Sequence, residues 1–445
     1  MENSIESGTD YLIKQAVISS TRTDTEIEIT AAVAEMIIYE HIEKPYLTMR
    51  LSFKEEQNLL QQIDFQGGEK LTITIQQLEE TITGHDITKE FLVDEIEKVV
   101  RVDERTEIAF LHCIEFHVFE SSAQNVNKSY NGSPSEMIKK VIENHITKEV
   151  MVDGSDDIQN MKVIIPNLHP IEAALWLTQR ASTKEGLPFY LFSTLGTDNL
   201  VLKDLEKMLT QQAINTETPY TYAPSASTSN KIKHYLIEEY EYSKTENLLK
   251  IMRNGNVGAK YVFYDTFRGV PSEISYDVDK VFQGLITKEL LGGENSRYNH
   301  SPEFKVKDKK IGSYDSKVFS QISSSGAYET VGTNFQSYND EPTGGGQTKT
   351  INRNSLKEFI TKSPITITVR GREFLTGDAN YTIGKTIRIR FLDTNTVIEN
   401  KVAKLDLKKS GDYIVMSAKH VFNGQKITSE LICGRVASLG VEADI

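Results

Sequence analysis

A β-rich α+β fold is predicted for this chain of 445 residues, and three observations predict it. Strand-like alternation dominates both ends, as in KLTITIQQL at 70–78, where Leu71, Ile73 and Ile75 share one face, and in PITITVRGR, where Ile365, Ile367 and Val369 do. Helical periodicity is concentrated in the middle. The aromatic content, 19 Tyr and 18 Phe against one Trp, suits half-buried pleated surfaces.

The first 53 residues read as strands: YLIKQAVIS, EIEITAAVAEMIIYEHI and YLTMRLSF, with Pro45 at the turn before the last. Residues 54–65 carry Leu59, Leu60 and Ile63 at helical spacing, which predicts a helix. The run EFLVDEIEKVVRVDERTEIAFLHCIEFHVFES continues as strand and completes a first β-rich domain near residue 120.

The texture then changes. Ser133 is an N-cap candidate, with Pro134 at the first helical position and Glu136 at the third. Met137, Ile138, Val141 and Ile142 form the apolar stripe of the helix that follows. A second helix is predicted over 170–185, then strands in LPFYLFSTL and NLVLKDLEKML. Residues 213–230 are polar, with Pro219 and Pro224, and read as a linker or long loop. A strand, a short helix and the strand KYVFYDTFRGV follow. Residues 292–348, rich in Gly, Ser, Asn and charge, read as an insertion that is mobile or ordered by neighbours. Strands return to the end, with hairpin-turn chemistry at SGDY (410–413) and NGQ (423–425). There is no short-period repeat.

Composition bounds the function. The net charge of −13, from 50 Lys and Arg against 63 Asp and Glu, opposes a grip on phosphates. Cys113 and Cys433 lie in apolar strand-like runs and read as buried thiols, a single bridge being the alternative. The polar, acidic start MENSIESGTDYL is unlike a signal sequence, and no apolar run reaches membrane-spanning length, so a soluble protein made in the cytoplasm is expected.

The search for chemistry returns no catalytic, cofactor or metal residues. His112, Cys113 and His117 are close in sequence, but on a strand the two histidines point apart. The glycines of NGNVGAKYVF are not a phosphate loop: Gly255 reads as a helix C-terminal residue and Gly258 as a turn. Gly344, Gly345 and Gly346 read as loop slack. Glu26, Glu28, Glu35, Glu40 and Glu43 read as a solvated face and not as a hydrolytic pair. No GxSxG or HExxH pattern occurs.

Several segments together resemble the central hub proteins of T-even-type contractile-tail phage baseplates. They are EMIIYEHIEKPYLTMRLSF, SYNGSPSEMIKKVIENHI, PNLHPIEAALWLTQRASTKEGLPFYLFSTL, HYLIEEYEYSKTENLLKIMRNGNVGAKYVFYDTFRG and the late GDY…SAKHVF, in the family's order. The resemblance implies two tail-tube-like β-barrel domains with α+β domains inserted or between them. On that reading 1–120 is the first barrel, 121–212 an α+β domain, and 213–275 part of the second barrel. A polar insertion or small domain occupies 276–350, and 351–445 completes the second barrel. It further implies a homotrimer presenting six barrels, with a spike protein on one side, a tail-tube or tube-initiator protein on the other, and wedge proteins outside. DNA would be present only in transit, and the place would be the virion's tail baseplate. An acidic balance suits such a bore, since wall cations would hold passing phosphates. The alternatives are a hub or spike component of a type VI-like secretion or tailocin machine, and a hub carrying a cell-wall hydrolase. The segments leave no stretch for an added hydrolase domain, and no β-helix tail follows the last strand before Ile445.

Overall fold

The computed structural model describes residues 9–20, 22–55, 62, 65–78, 86–103, 106–157, 160–222, 235–242, 248–266, 269–287, 305–323, 351–353, 355–357, 364–376, 381–392, 405–406 and 409–438. The chain is β-rich α+β, as its sequence predicts.

The first region is a set of strands, β1 (Tyr11–Ser20), β2 (Thr25–Glu28), β3 (Val33–His41), β4 (Thr48–Glu55), β5 (Lys70–Gln77), β6 (Asp86–Arg101) and β7 (Glu107–Glu115). They pair antiparallel in the order β3-β4-β7-β6-β5-β1-β2. β5 alternates half-buried and buried residues along its whole length, so Leu71, Ile73 and Ile75 enter the core as expected. Most of the predicted 54–65 helix, with Leu59, Leu60 and Ile63, lies outside the described residues; Lys54 and Glu55 are the end of β4.

The strand expected to run on through EFHVFES stops at Glu115. Residues His117–Ser122 form a helix, α1. The turn is made by Phe116, whose carbonyl accepts from Phe119 N at 3.0 Å. An α+β unit follows, comprising β8 (Ser129–Gly132), α2 (Pro134–His145), β9 (Val150–Asp153), β10 (Met161–Ile164), α3 (Pro170–Thr178), β11 (Phe189–Phe192), β12 (Leu200–Asp204) and α4 (Leu205–Thr210). The α2 start is as predicted: Ser133 Oγ accepts from Glu136 N at 3.3 Å, and Glu136 Oε2 accepts from Ser133 N at 3.4 Å. Met137, Ile138, Val141 and Ile142 are all buried against α3 and the unit's two small sheets. The second helix is shorter than the predicted 170–185, ending at Thr178. Thr183 Oγ1 there accepts from Leu187 N at 3.2 Å and turns the chain back into β11.

The second region comprises β13 (Tyr220–Tyr222), β14 (Ile237–Tyr242), α5 (Leu248–Arg253), β15 (Gly258–Asp265), β16 (Val270–Asp277), α6 (Val278–Thr287), β17 (Lys305–Val306), β18 (Lys309–Lys310), β19 (Val318–Ser323), β20 (Pro364–Arg370), β21 (Thr386–Phe391), β22 (Gly411–Asn423) and β23 (Lys426–Ser438). Three local readings change here. Within the stretch read as a linker, Tyr220–Tyr222 is a strand parallel to β21. Gly255 does end α5, at φ +83°, but Gly258 opens β15 where the backbone of Gly312 and Tyr314 leaves no room for a side chain. SGDY is no hairpin turn: Ser410 Oγ accepts from Phe391 N at 2.9 Å, and β22 begins beside it. NGQ does turn the chain, with Gly424 at φ +61° in a two-residue β22–β23 loop. Of the predicted insertion 292–348, residues 305–323 are described and the rest lie outside.

Strands of the two regions join in one 13-stranded sheet, because β22 pairs with β3 as well as with β23; β15, β16 and β19 form a smaller sheet of their own, and β17 and β18 another. Within the second region the pairing path returns on itself. It runs from β22 through β21 to β13, across a Thr221–Leu236 bridge to β14, then through β20 and β23 back to β22. The β22–β23 hairpin serves two cores. Its base (Tyr413, Val415, Leu431, Cys433) packs in the second region's cluster, and its tip (Phe422, Ile427) in the first region's. Among the described residues no helix is long and apolar enough to cross a membrane.

Candidate functional site

The joint between these regions carries the chain's most organised polar chemistry. It is built around the loop 193–199 that connects β11 to β12; Glu40, Lys89, Glu115 and His420 reach it from strands, and Lys148 from the segment before β9.

Glu115, at the end of β7, is fully buried. Its Oε2 accepts from Ser193 Oγ at 2.6 Å and from Leu47 N at 3.0 Å, and Lys148 Nζ lies 3.2 Å from Oε1. His117 Nε2 donates to the Pro45 carbonyl at 2.7 Å and leaves Nδ1 3.7 Å from Glu115. Burial alone would raise the carboxyl's pKa; His117, Lys89 and Lys148, with the Ser193 hydrogen bond, hold it down at about 2. Lys89 reaches into the loop from β6 and donates to the carbonyls of Thr194, at 2.9 Å, and Thr197. Its pKa is lowered, chiefly by burial.

Glu40, on β3, holds the same loop from the other side. It accepts from Thr194 Oγ1 at 2.8 Å and from Leu195 N at 2.9 Å. His420 Nε2, from β22, lies 3.2 Å from Glu40, and His420 Nδ1 lies 2.7 Å from Ser429 Oγ on β23. Ser429, His420 and Glu40 have the composition of a hydrolase triad. They are nevertheless fully buried, and the Gly371 backbone presses on the serine hydroxyl so closely that a methyl group there would collide with it. The serine also sits on Nδ1 and the carboxylate on Nε2, the reverse of the usual triad order. A surface cavity of about 510 Å³ opens beside Glu43, Tyr190 and Lys357, away from the array, and one of about 770 Å³ opens at the outer edge of the joint beside Lys139, Lys148 and Asp198. What this array does is tie three parts of the fold together: β3, the β22–β23 hairpin and the α+β unit.

A third clasp joins the start of β1 to the hairpin tip. Asp10 N donates to the Gln425 carbonyl at 2.8 Å, Asp10 pairs with Arg370 at 3.2 Å, and the Tyr11 ring meets Phe422 edge-on at 5.0 Å.

The residues singled out in the sequence are dispersed. Cys113 is buried in the first core and Cys433 in the second; both thiols are free, and burial pushes both pKa values up. His112 lies 3.4 Å from Asp94. His117 stands on α1, so the strand geometry used to separate it from His112 does not apply. Among the described residues no three His, Cys, Asp or Glu are grouped to hold a metal ion. Of the five glutamates read as a solvated face, Glu40 is the exception. The signal was present: Met36, Ile38 and Glu40 alternate on one face of β3, and that face is the core.

No protein-family model matches the sequence, and no curated protein matches it. The fold, by contrast, is similar over nearly the whole chain to solved phage tail proteins. The prophage MuSo2 43 kDa tail protein from Shewanella oneidensis is 9% identical, with 95% of this chain and 98% of that one covered, at a TM-score of 0.50. A tail protein from Neisseria meningitidis MC58 is 11% identical, with 96% and 97% covered, also at 0.50. The E. coli c3393 protein, described as a type VI secretion component with structural similarity to T4 bacteriophage tail proteins gp27 and gp5, is 6% identical. It covers 97% of this chain and 78% of its own length, at a TM-score of 0.41.

Proposed function

We propose that this chain is a structural subunit of a contractile tail, the baseplate central hub that joins the tail tube to the spike. The observation that carries the reading is the end-to-end likeness to phage tail proteins, with nearly all of both chains covered. On this reading the two strand regions act as tail-tube-like barrels, and the returning pairing path of the second region supports that role. Three copies then present six such units to a sixfold tube and one threefold face to a spike. Residues 121–212 and 276–350 lie outside or toward the spike, and wedge proteins surround the hub. DNA passes through an acidic or neutral bore without being held.

The polar joint suits a part that must keep one shape. Buried charges paired across separate elements fix one geometry, and removing one leaves its partner stranded. The Ser429–His420–Glu40 array belongs to this frame and needs no substrate.

The test is a reconstruction of the assembled particle, with the mass of the purified chain bound to its neighbouring spike protein. Three copies about the axis are expected. Six or twelve copies, or cell-wall hydrolysis abolished by replacing one carboxylate, would overturn the reading.

A further inference from the structure

One exposed element is unlike the rest of this acidic chain. The β17–β18 hairpin places Lys305, Lys307, Lys309 and Lys310 within six residues, all exposed, with Asp308 the one acid among them. Its register sets Lys305 directly opposite Lys310, a like-charge pair that weakens a two-stranded ribbon. The turn uses Lys307 at φ +48° and Asp308 at φ +66°, left-handed positions where Asn-Gly is preferred. Both features oppose the hairpin's own stability.

The base is nonetheless anchored to the fold. Tyr314 OH donates to the Val306 carbonyl, Ser313 Oγ donates to the Lys310 carbonyl at 3.0 Å, and Ile311 is buried in the second core. Among the described residues only Lys310 of the four has an ion pair, with Asp279 at 3.8 Å. Solubility does not explain the cluster. In a chain of net charge −13, added cations move the molecule toward neutrality.

We propose that this hairpin is a docking finger for a second copy of the chain, and that it seats on the acidic strand β14 of its neighbour. Glu238, Glu239 and Glu241 are exposed there and offer a short run of carboxylates at strand spacing. A basic finger on one copy that seats on an acidic strand of the next makes a head-to-tail contact, the kind that closes into a ring. Facing charges of this sort set partner choice and register more than raw affinity. The proposal rests on the hub reading, for which it supplies the contact between protomers.

The experiment compares the full chain, with its neighbouring spike protein present, in four forms: wild type, Lys305→Glu/Lys307→Glu/Lys309→Glu, Glu238→Lys/Glu239→Lys/Glu241→Lys, and all six changes together. All six positions are exposed, so folding is preserved, and circular dichroism checks it. By light scattering each reversal alone should lower the trimer fraction about tenfold or more, and the combination should restore it. Trimers insensitive to both reversals, or no restoration in the combination, overturn the finger and leave the hub reading standing. A wild-type chain that forms no trimer overturns both. Retention of a short DNA duplex or of phosphatidylserine vesicles by the wild type, lost in the lysine variant with trimer mass unchanged, overturns the proposal in favour of a polyanion site.

Discussion

The two strand regions reach similar burial by different routes. The first takes seven strands from one continuous stretch, residues 11–115, and then borrows the tip of a distant hairpin. The second collects its strands of the shared sheet from 220–222, 237–242, 364–370, 386–391 and 411–438, and its pairing path returns on itself. The first is local in sequence but incomplete without Phe422 and Ile427; the second is non-local and supplies what the first lacks. The two strand regions can thus be one cooperative body.

The largest expected effect breaks that union. Phe422→Ala removes the hairpin tip from the first core and the edge-on contact with Tyr11, at a cost of about 3–5 kcal/mol. Each core holds one buried free thiol, Cys113 in the first and Cys433 in the second, so labelling rates report on each region separately. In the wild type the two should label at matching slow rates. In Phe422→Ala Cys113 should label first. Equal acceleration at both sites would mean that the tip does not mark the boundary.

Glu115→Ala is expected to cost about 3–5 kcal/mol, because Lys89 and Lys148 lose the carboxylate that compensates them. Protease should then cut near residues 193–199 before it cuts the strands. Cleavage first in the strand regions would show that the loop is held by other contacts.

Acid provides a graded version. The Glu115 carboxyl is held at about 2, below the ordinary value of 4.5, so its stabilisation is full above pH 4.5 and is lost as pH falls toward 2. Unfolding monitored between those pH values should steepen in the wild type and flatten in Glu115→Gln. An unchanged acid limb in the variant would exclude Glu115 as the group responsible.

The smallest effect is at the hairpin loop. Gly424→Ala places a side chain at φ +61° and should cost about 1 kcal/mol, lowering both regions together. A larger loss in one region alone would show that the two are less coupled than their shared ladder implies.

Much of this was legible in the sequence, and what was missed follows one pattern. Strands with clean alternation, such as β5 and β20, and the capped helix α2 are where local chemistry points. The joint was missed because its groups are charged. Yet Ile87, Lys89 and Phe91 share a face of β6; Leu111, Cys113 and Glu115 share one of β7; Ala418, His420 and Phe422 share one of β22; and Ile427, Ser429 and Leu431 share one of β23. In each, a polar residue continues an apolar face, and the period says it points inward. Alternation cannot reveal the partner, because Glu40 and Thr194 are 154 residues apart. The pairing of β22 with β3 was hidden for the same reason: no local signal specifies a partner strand so distant.

That distance has a consequence for how the molecule is made. Asp10, at the start of the first strand, must wait for Ile427, 417 residues later, to emerge from the ribosome before their contact can form. The N-terminal strands therefore keep a gap in their core until that distant hairpin is made, a topology that folds slowly and late. A nascent chain interrupted before the last hairpin leaves both cores open and presents sticky, unfinished surfaces to quality control. Both cores can close only in a chain that carries β22 and β23.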